Sequence, residues 1–278
     1  MHFVCCIKQV PDTAEVKIDP ETNTLVRAGV ESIANPYDIV AVEEAVRFRE
    51  KYGGKVTVIC MGPPQADVVL REAASLGADE AVLLSDRAFA GSDTLATSFT
   101  LSKAIETLGR ELPVDLILCG KQAIDGDTAQ TGPGIATRLG ITQFTSVVEV
   151  DWIDPEKMRI QVRRLVEGGI EVINGSLPAL LTVELELATP RRAPLPQLIH
   201  SLRIPVKVWD GKAIGAPTQQ LGIKGSPTWV RGIASPPPRK GGPMFDAGQG
   251  TSEAVSQALE VILSDEEFSA KFLKGWKS

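Results

Sequence analysis

The chain has 278 residues, 29 Lys and Arg against 35 Asp and Glu, and a formal net charge of −6. No basic block stands out, which argues against a nucleic-acid groove, and no run reaches the roughly 20 apolar residues of a membrane span. The four cysteines (Cys5, Cys6, Cys60, Cys119) lie in apolar runs without a C-x-x-C pair, and the only histidines are His2 and His200, so metal ligation and a histidine-based hydrolase are poorly served. A chain so poor in acid–base groups either does no chemistry or leaves it to a bound cofactor.

From the N-terminus, "HFVCCIK" reads as a first strand. It has neither the charged start nor the cleavage site of a signal peptide, so reduced, buried thiols and a cytoplasmic location are expected. Residues 11–34 read as an excursion with two short strands around the turn "DPETN". "DIVAVEEAVRFREKYGG" reads as an amphipathic helix with Asp38 as N-cap and Gly53 or Gly54 as its stop. Next come the strand "KVTVICM", a helix "PPQADVVLREAASLGA" opened by proline and closed by Gly77, and the strand "EAVLLS". "SDTLATSFTLSKAIETLG" reads as a helix capped by Ser92 or Asp93, "VDLILC" as a fourth strand, and "TRLG" as the close of another helix. Helices alternating with short, continuously apolar strands predict an α/β fold: a parallel sheet covered on both faces. Ligands of such sheets bind off the carboxyl ends of the strands, near a switch point in strand order.

From residue 145 the pattern changes. "TSVVEVDW", "KMRIQVRRLVEGGIEVIN" and "PALLTVELEL" read as strands, with "EGG" as a hairpin turn, and predict an antiparallel extension. Residues 187–250 hold most of the prolines and little periodicity, the mark of an extended arm. "TSEAVSQALEVIL" predicts a last helix capped by Thr251 or Ser252, with Ala254, Ala258, Val261 and Ile262 on a face that needs a partner surface. The expected division is an α/β domain over 1–186, an arm over 187–250 and a helical segment over 251–278.

Neither G-x-G-x-x-G nor G-x-x-x-x-G-K-[ST] occurs. Each parallel strand instead empties into a loop of small or polar residues: "CIKQVPD", "MGPPQ", "FAGSDTLATS" and "GKQAIDGDTAQTGPG". In the last, the helix begins at Asp127 or Thr128, or at Gly132 with Pro133 as its first residue. Either start leaves amides between Asp125 and Gly132 without helical partners, a nest for an anion at a helix dipole. The small residues Gly126, Thr128, Ala129 and Gly132 let a ligand approach the backbone. Asp127 is expected to cap the loop's own amides, and Asp125 to accept from a ribose hydroxyl or adenine amino group. An ordinary capped helix start explains these residues singly but not together. At "AGSDTLATS", Ser92, Thr94, Thr97 and Ser98 read equally as a second ligand-facing helix start or as a redundant cap. "ANPYD" reads as a turn before a helix, with Tyr37 or Asp38 near a ligand.

These loops together resemble the beta subunit of electron transfer flavoprotein over residues 1 to about 200. The strongest likeness is the hairpin "VRRLVEGGIEVINGSLPALLT", Val162–Thr182, with "CIKQVPD", "NPYD", "MGPP" and "GKQAIDGDTAQTGP" in order. The resemblance implies an adenine-nucleotide-binding (adenine nucleotide alpha hydrolase-like) α/β domain in a heterodimer with an alpha subunit. The arm would reach to that partner and the C-terminal helix dock on it. It implies nucleotide contact by Cys6, Asn35, Tyr37, Asp38 and Met61, and by Asp125, Gly126, Asp127, Thr128, Ala129, Gln130, Thr131, Gly132 and Ala136. "RRAPLPQLIH" matches the loop that meets partner dehydrogenases, with Leu195 at its anchoring position.

"AGSDTLATS", "IANPYD" and "GDTAQTGPGIA" resemble the bifurcating, nitrogen-fixation (Fix) branch, although Tyr37 stands where some members carry Asp. That branch implies FAD in this subunit, with Ser92, Asp93, Thr94 and Thr97 lining its second helix start. NADH would be the electron donor, and ferredoxin or flavodoxin and the alpha-subunit FAD the acceptors. A quinone oxidoreductase or acyl-CoA dehydrogenase would lie beyond. The alternatives are an ordinary electron carrier with structural AMP here, and a universal-stress-type nucleotide-binding module without a redox role. No metal and no catalytic side chain is expected.

Overall fold

A computed structural model describes residues 1–12, 17–18, 25–26, 32–232, 241, 243–246, 248 and 250–264. The chain divides into two compact units, Met1–Ile233 and Ala234–Ser278. The first opens with β1 (His2–Ile7), β2 (Gln9–Pro11), β3 (Lys17–Ile18), β4 (Leu25–Val26), β5 (Ser32–Ala34) and α1 (Pro36–Tyr52). There follow β6 (Lys55–Met61), α2 (Asp67–Leu76), β7 (Glu80–Leu84), α3 (Thr94–Glu111), β8 (Leu116–Gly120) and α4 (Thr131–Leu139). It continues with β9 (Thr142–Asp154), β10 (Arg159–Val166), β11 (Gly169–Ser176), β12 (Ala179–Val183), α5 (Leu195–Ser201), β13 (Val206–Trp209) and α6 (Gly222–Gly225).

Nine strands form one sheet in the order β11-β10-β9-β12-β8-β1-β6-β7-β13. Seven of them run parallel; β10 pairs antiparallel with both β9 and β11, forming the expected hairpin extension. In the excursion, β2 pairs with β5 and β3 with β4, both antiparallel, while the "DPETN" turn lies outside the described residues. From β1 the chain steps to β6 and β7 on one side, then crosses to β8 on the other. The switch point therefore falls between β1 and β8.

Side chains of β1 alternate between two cores. Phe3, Cys5 and Ile7 join α1 and α2 on one face. Val4 and Cys6 join α3 and α4 on the other. Each fully buried Leu, Ile or Phe in these layers contributes about 1.5–3 kcal/mol. All four cysteines are free and buried, as their apolar runs predict.

The stretch from 187 to 232 differs from the expected arm. The four-residue strand β13 pairs in parallel with β7 and extends the main sheet. Ile204, Ile214 and Leu221 are buried. A strand this short, set among prolines, is too brief to register as periodicity. The boundary between compact units moves accordingly from 187 to 233. The second unit contains α7 (Thr251–Ser264), in which Ala254 is buried while Val255, Leu259, Val261 and Ile262 are exposed. No helix among the described residues is long and apolar enough to cross a membrane.

At the amino end of the sheet a buried polar chain ties four strands together. His2 Nε2 lies 2.9 Å from Thr57 Oγ1, and Nδ1 lies 3.1 Å from the Leu112 carbonyl. Nδ1 of a neutral ring donates to the Leu112 carbonyl, and the single Thr57 hydroxyl proton then serves either Nε2 or Glu80, not both. Glu80, 3.2 Å from Thr57, pairs with Lys55 and with Lys207 of β13. Burial would raise the Glu80 carboxyl, but the Lys207 and Lys55 ammonium groups hold it below the usual range. Burial, with Lys55 adding to it, depresses the His2 imidazole against the pull of the Leu112 carbonyl, Glu80 and Asp115. A group neutral in the fold but protonated in the unfolded chain gives stability that is present above about pH 6.5 and lost below it. Replacing His2→Gln should flatten the fall in unfolding free energy below about pH 6.5, by no more than about 1.4 kcal/mol per pH unit. Urea titrations at stepped pH measure this, and an unchanged slope refutes it.

Candidate functional site

The carboxyl ends of β1 and β8 meet over the first turn of α1. Pro36 takes the first helical position and Asn35 the cap position, as their preferences favour. Asp38 is therefore not the N-cap that its sequence suggests. It lies buried at the third helical position and bridges the two strands. Its Oδ2 accepts from the Lys8 amide at 2.8 Å and its Oδ1 from the Gly120 amide at 2.9 Å. Burial pushes this carboxyl up to about 7, against the hydrogen bonds from Asn35, Gly120 and Lys8. A Cβ on Gly120 would come within 2.5 Å of Asp38 Oδ1 and of the Tyr37 Cβ, so glycine is required there.

Asn35 leaves its own helix uncapped by its side chain and instead shapes the loop after β8. Its Nδ2 donates to the Gln122 carbonyl at 2.9 Å, and its Oδ1 accepts from the Ile124 amide at 3.2 Å. Lys8 Nζ grips both oxygens of Asp125 at 2.6 and 2.7 Å. Gln122 Nε2 donates to Asp127 Oδ1 at 2.9 Å. Asp127 thus binds a side chain rather than the loop's amides.

The loop then turns into a nest. The Gly126 and Asp127 amides both donate to the Ala123 carbonyl. Asp127 and Ala129 adopt left-handed backbone, φ 48° and 52°, and Gln130 returns to right-handed helical values. Left-handed backbone costs a non-glycine residue about 1–2 kcal/mol, and such outliers concentrate at functional sites. Alternating hands turn successive amides toward one concavity. Among the described residues, the amides of Thr128, Ala129, Gln130, Thr131 and Gly132 have no protein acceptor. The α4 helix begins at Thr131, between the two starts that the sequence allows, and no side chain caps it. Its dipole adds positive potential to the same spot. Gly132 lets α4 sit close on the sheet, since a Cβ would fall 2.5 Å from Thr182 Cγ2.

The start of α3 adjoins this nest, because Thr94 Oγ1 donates to Gln130 Oε1 at 2.9 Å. Otherwise α3 is largely self-capped. Asp93 Oδ1 accepts from the Leu95 and Ala96 amides, and Oδ2 from the amide and hydroxyl of Thr228. Ser92 donates to the Phe89 carbonyl and Ser98 to that of Leu95. The cap reading thus describes Ser92, Asp93 and Ser98, while Thr94 faces the neighbouring loop and Thr97 is half-buried one turn further in. Cys6 and Ala136 lie in the core beneath α3 and α4, with Met61 packed half-buried against it. Burial raises the Cys6 thiol far above its ordinary range. Lys8 and Gln122 were not singled out by the sequence reading. Their partners lie 117 and 5 residues away, and neither contact has a local signature.

An open α/β sheet with unbonded amides beside its switch point is the class of fold that takes ligands at the carboxyl ends of its strands. A family model for the electron transfer flavoprotein domain matches residues 22–210. The chain belongs to the electron transfer flavoprotein family. It is 51% identical over 240 residues to "Protein FixA" of Azotobacter vinelandii, covering 86% of this chain and 85% of that one. It is 48% identical over 265 residues to "Electron transfer flavoprotein subunit beta" of Thermoanaerobacterium thermosaccharolyticum, covering 95% and 98%. The protein of the same description from Clostridium acetobutylicum is 50% identical over 231 residues, covering 83% and 86%.

Removing the Asp38 carboxylate leaves two partly buried amides without acceptors. Asp38→Ala should cost roughly 2–4 kcal/mol of unfolding free energy. Denaturant midpoints of the variant and the parent protein check this.

Proposed function

We propose that this chain is the beta subunit of a heterodimeric electron transfer flavoprotein and holds FAD on the loop between β8 and α4. In this reading NADH is the donor. Ferredoxin or flavodoxin and an FAD in the alpha subunit are the acceptors, and a quinone oxidoreductase or acyl-CoA dehydrogenase lies downstream. The observation that carries it is the row of unbonded amides from Thr128 to Gly132 beside the start of α3. Bound there, the flavin would supply hydride acceptance and one-electron transfer, chemistry that no side chain of this chain offers.

The chain's own residues would bind and orient. The amides and the α4 dipole take the diphosphate, with the small residues admitting it to the backbone. Asn35 and Asp38 hold the loop in register with β1, and Lys8 brings a cation to its outer edge. Leu195, exposed on α5, is the contact for the downstream dehydrogenase. A structural AMP is the alternative. It needs only one phosphate nest, and the self-capping of α3 by Asp93 favours it. The Thr94–Gln130 contact and the relatives named FixA favour FAD.

Flavin released by denaturing the purified heterodimer decides between them. Two FAD per heterodimer are expected; one indicates the AMP form, and none overturns both readings. Bleaching of the flavin absorbance by NADH should accompany the count of two. Asp127→Ala and Thr94→Val should each weaken the beta-subunit site about tenfold or more, lowering the count toward one while sparing the alpha-subunit FAD. Retention of both flavins by both variants would refute the assignment of this loop.

A further inference from the structure

The segment from Thr189 to Ile204 crosses the outer surface of α1 and α2 and is held at each end by an arginine. At its start, Arg191 reaches back to α1. Its Nε donates to Glu43 Oε2 at 2.9 Å, and its two terminal nitrogens pair with Glu50 at 2.6 and 3.0 Å. The Arg191 amide also donates to Glu43 Oε2. Glu43 is buried, yet the Arg191 and Arg47 guanidinium groups outweigh that burial and hold its carboxyl below the usual range. At the far end, Arg71 of α2 gathers carbonyls at and just past the end of α5. Its Nη1 donates to Ser201 and Leu202 at 3.0 Å and to Ile204 at 3.4 Å. Asp67, one turn earlier on α2, fixes the same guanidinium through Nε at 2.6 Å. Between the two arginines, Gln197 Nε2 donates to the Ala74 carbonyl at 3.1 Å.

The side chains so presented have a regular spacing. Leu195, Leu198, Ile199 and Leu202 stand at positions i, i+3, i+4 and i+7, and all four are exposed, Leu195 by 68% and Leu202 by 71%. That is the spacing by which an apolar helical face enters a groove on another protein. Arg203 lies exposed on the same short stretch, a positive charge on a chain of net charge −6. The groove it suits is apolar with an acidic rim. A seven-residue helix has no stability of its own in water. Something outside it must hold its backbone, and fixing it before contact lowers the ordering cost of binding.

We infer that Arg71 is a positioning residue: with Arg191 opposite, it preforms α5 so that the Leu195–Leu202 ridge meets a partner flavoprotein already ordered. This rests on the partner role given above to Leu195. The hydrogen bonds of Arg71 go to Asp67, Ser201, Leu202 and Ile204 and to none of the candidate nucleotide-site residues, so its loss separates presentation from redox chemistry.

The test compares Arg71→Ala and Arg71→Lys with the parent protein in the intact heterodimer. Hydrogen exchange reads the amides of Leu202, Arg203 and Ile204, which bond within the segment. An acyl-CoA dehydrogenase serves as the acceptor probe. For Arg71→Ala we expect at least tenfold faster exchange at these amides. We also expect at least a fivefold higher KM for the dehydrogenase, with kcat, flavin count and the rate of NADH bleaching within twofold of the parent. Arg71→Lys, which keeps the charge but not the fork, should fall between. Unchanged exchange, or faster exchange with an unchanged KM, overturns the inference. A fall in flavin content together with the KM change also overturns it, since Arg71 would then act on the whole fold. A parent protein that reduces no dehydrogenase refutes the partner reading instead, and the exchange result still decides whether Arg71 orders the segment.

Discussion

The buried carboxylate of Asp38 holds the site together. Parallel strands on either side of a switch point diverge as their connections leave for opposite faces, and their last amides have no strand partner. Asp38 accepts the amide of Lys8, just past β1, and that of Gly120, at the end of β8. This fixes where Lys8 and Lys121 begin their loops, and Asn35 then sets the path of residues 122–124. The nest from Thr128 to Gly132 is the end of that series. In its ionised form this carboxyl accepts two such bonds without a proton of its own to place, which neither a hydroxyl nor an amide in that position matches.

Much of this was legible beforehand because it rests on short-range pattern. Continuous apolar strands alternating with amphipathic helices announced the two-faced parallel sheet, and "EGG" announced the hairpin. The small residues from Gly126 to Gly132 marked the loop with unbonded amides. What the sequence hid was long-range pairing. Asp38 looked like a cap because carboxylates near a helix start usually are caps, and only the approach of Gly120, 82 residues on, reassigns it. Asp93 illustrates the converse. Its cap role was readable, but its second pair of bonds, to Thr228, depends on where a proline-rich stretch returns.

The same contrast explains residues 187–232. Their composition reads as an arm because prolines and glycines break periodicity. Yet Lys207 of β13 finds Glu80 at the amino end of β7, and Arg71 and Arg191 bind the intervening stretch to two helices. Backbone pairing of β13 with β7, the scattered buried residues Ile204, Ile214 and Leu221, and charged contacts between remote positions attach this stretch to the sheet. Such contacts leave no periodic trace.

The doubled use of Asp93 has a geometric result. One carboxylate both caps the first turn of α3 and holds the amide and hydroxyl of Thr228. The opening turn of α3 and the chain at Thr228 are therefore a single mechanical joint. Neither can shift its position without dragging or unfastening the other.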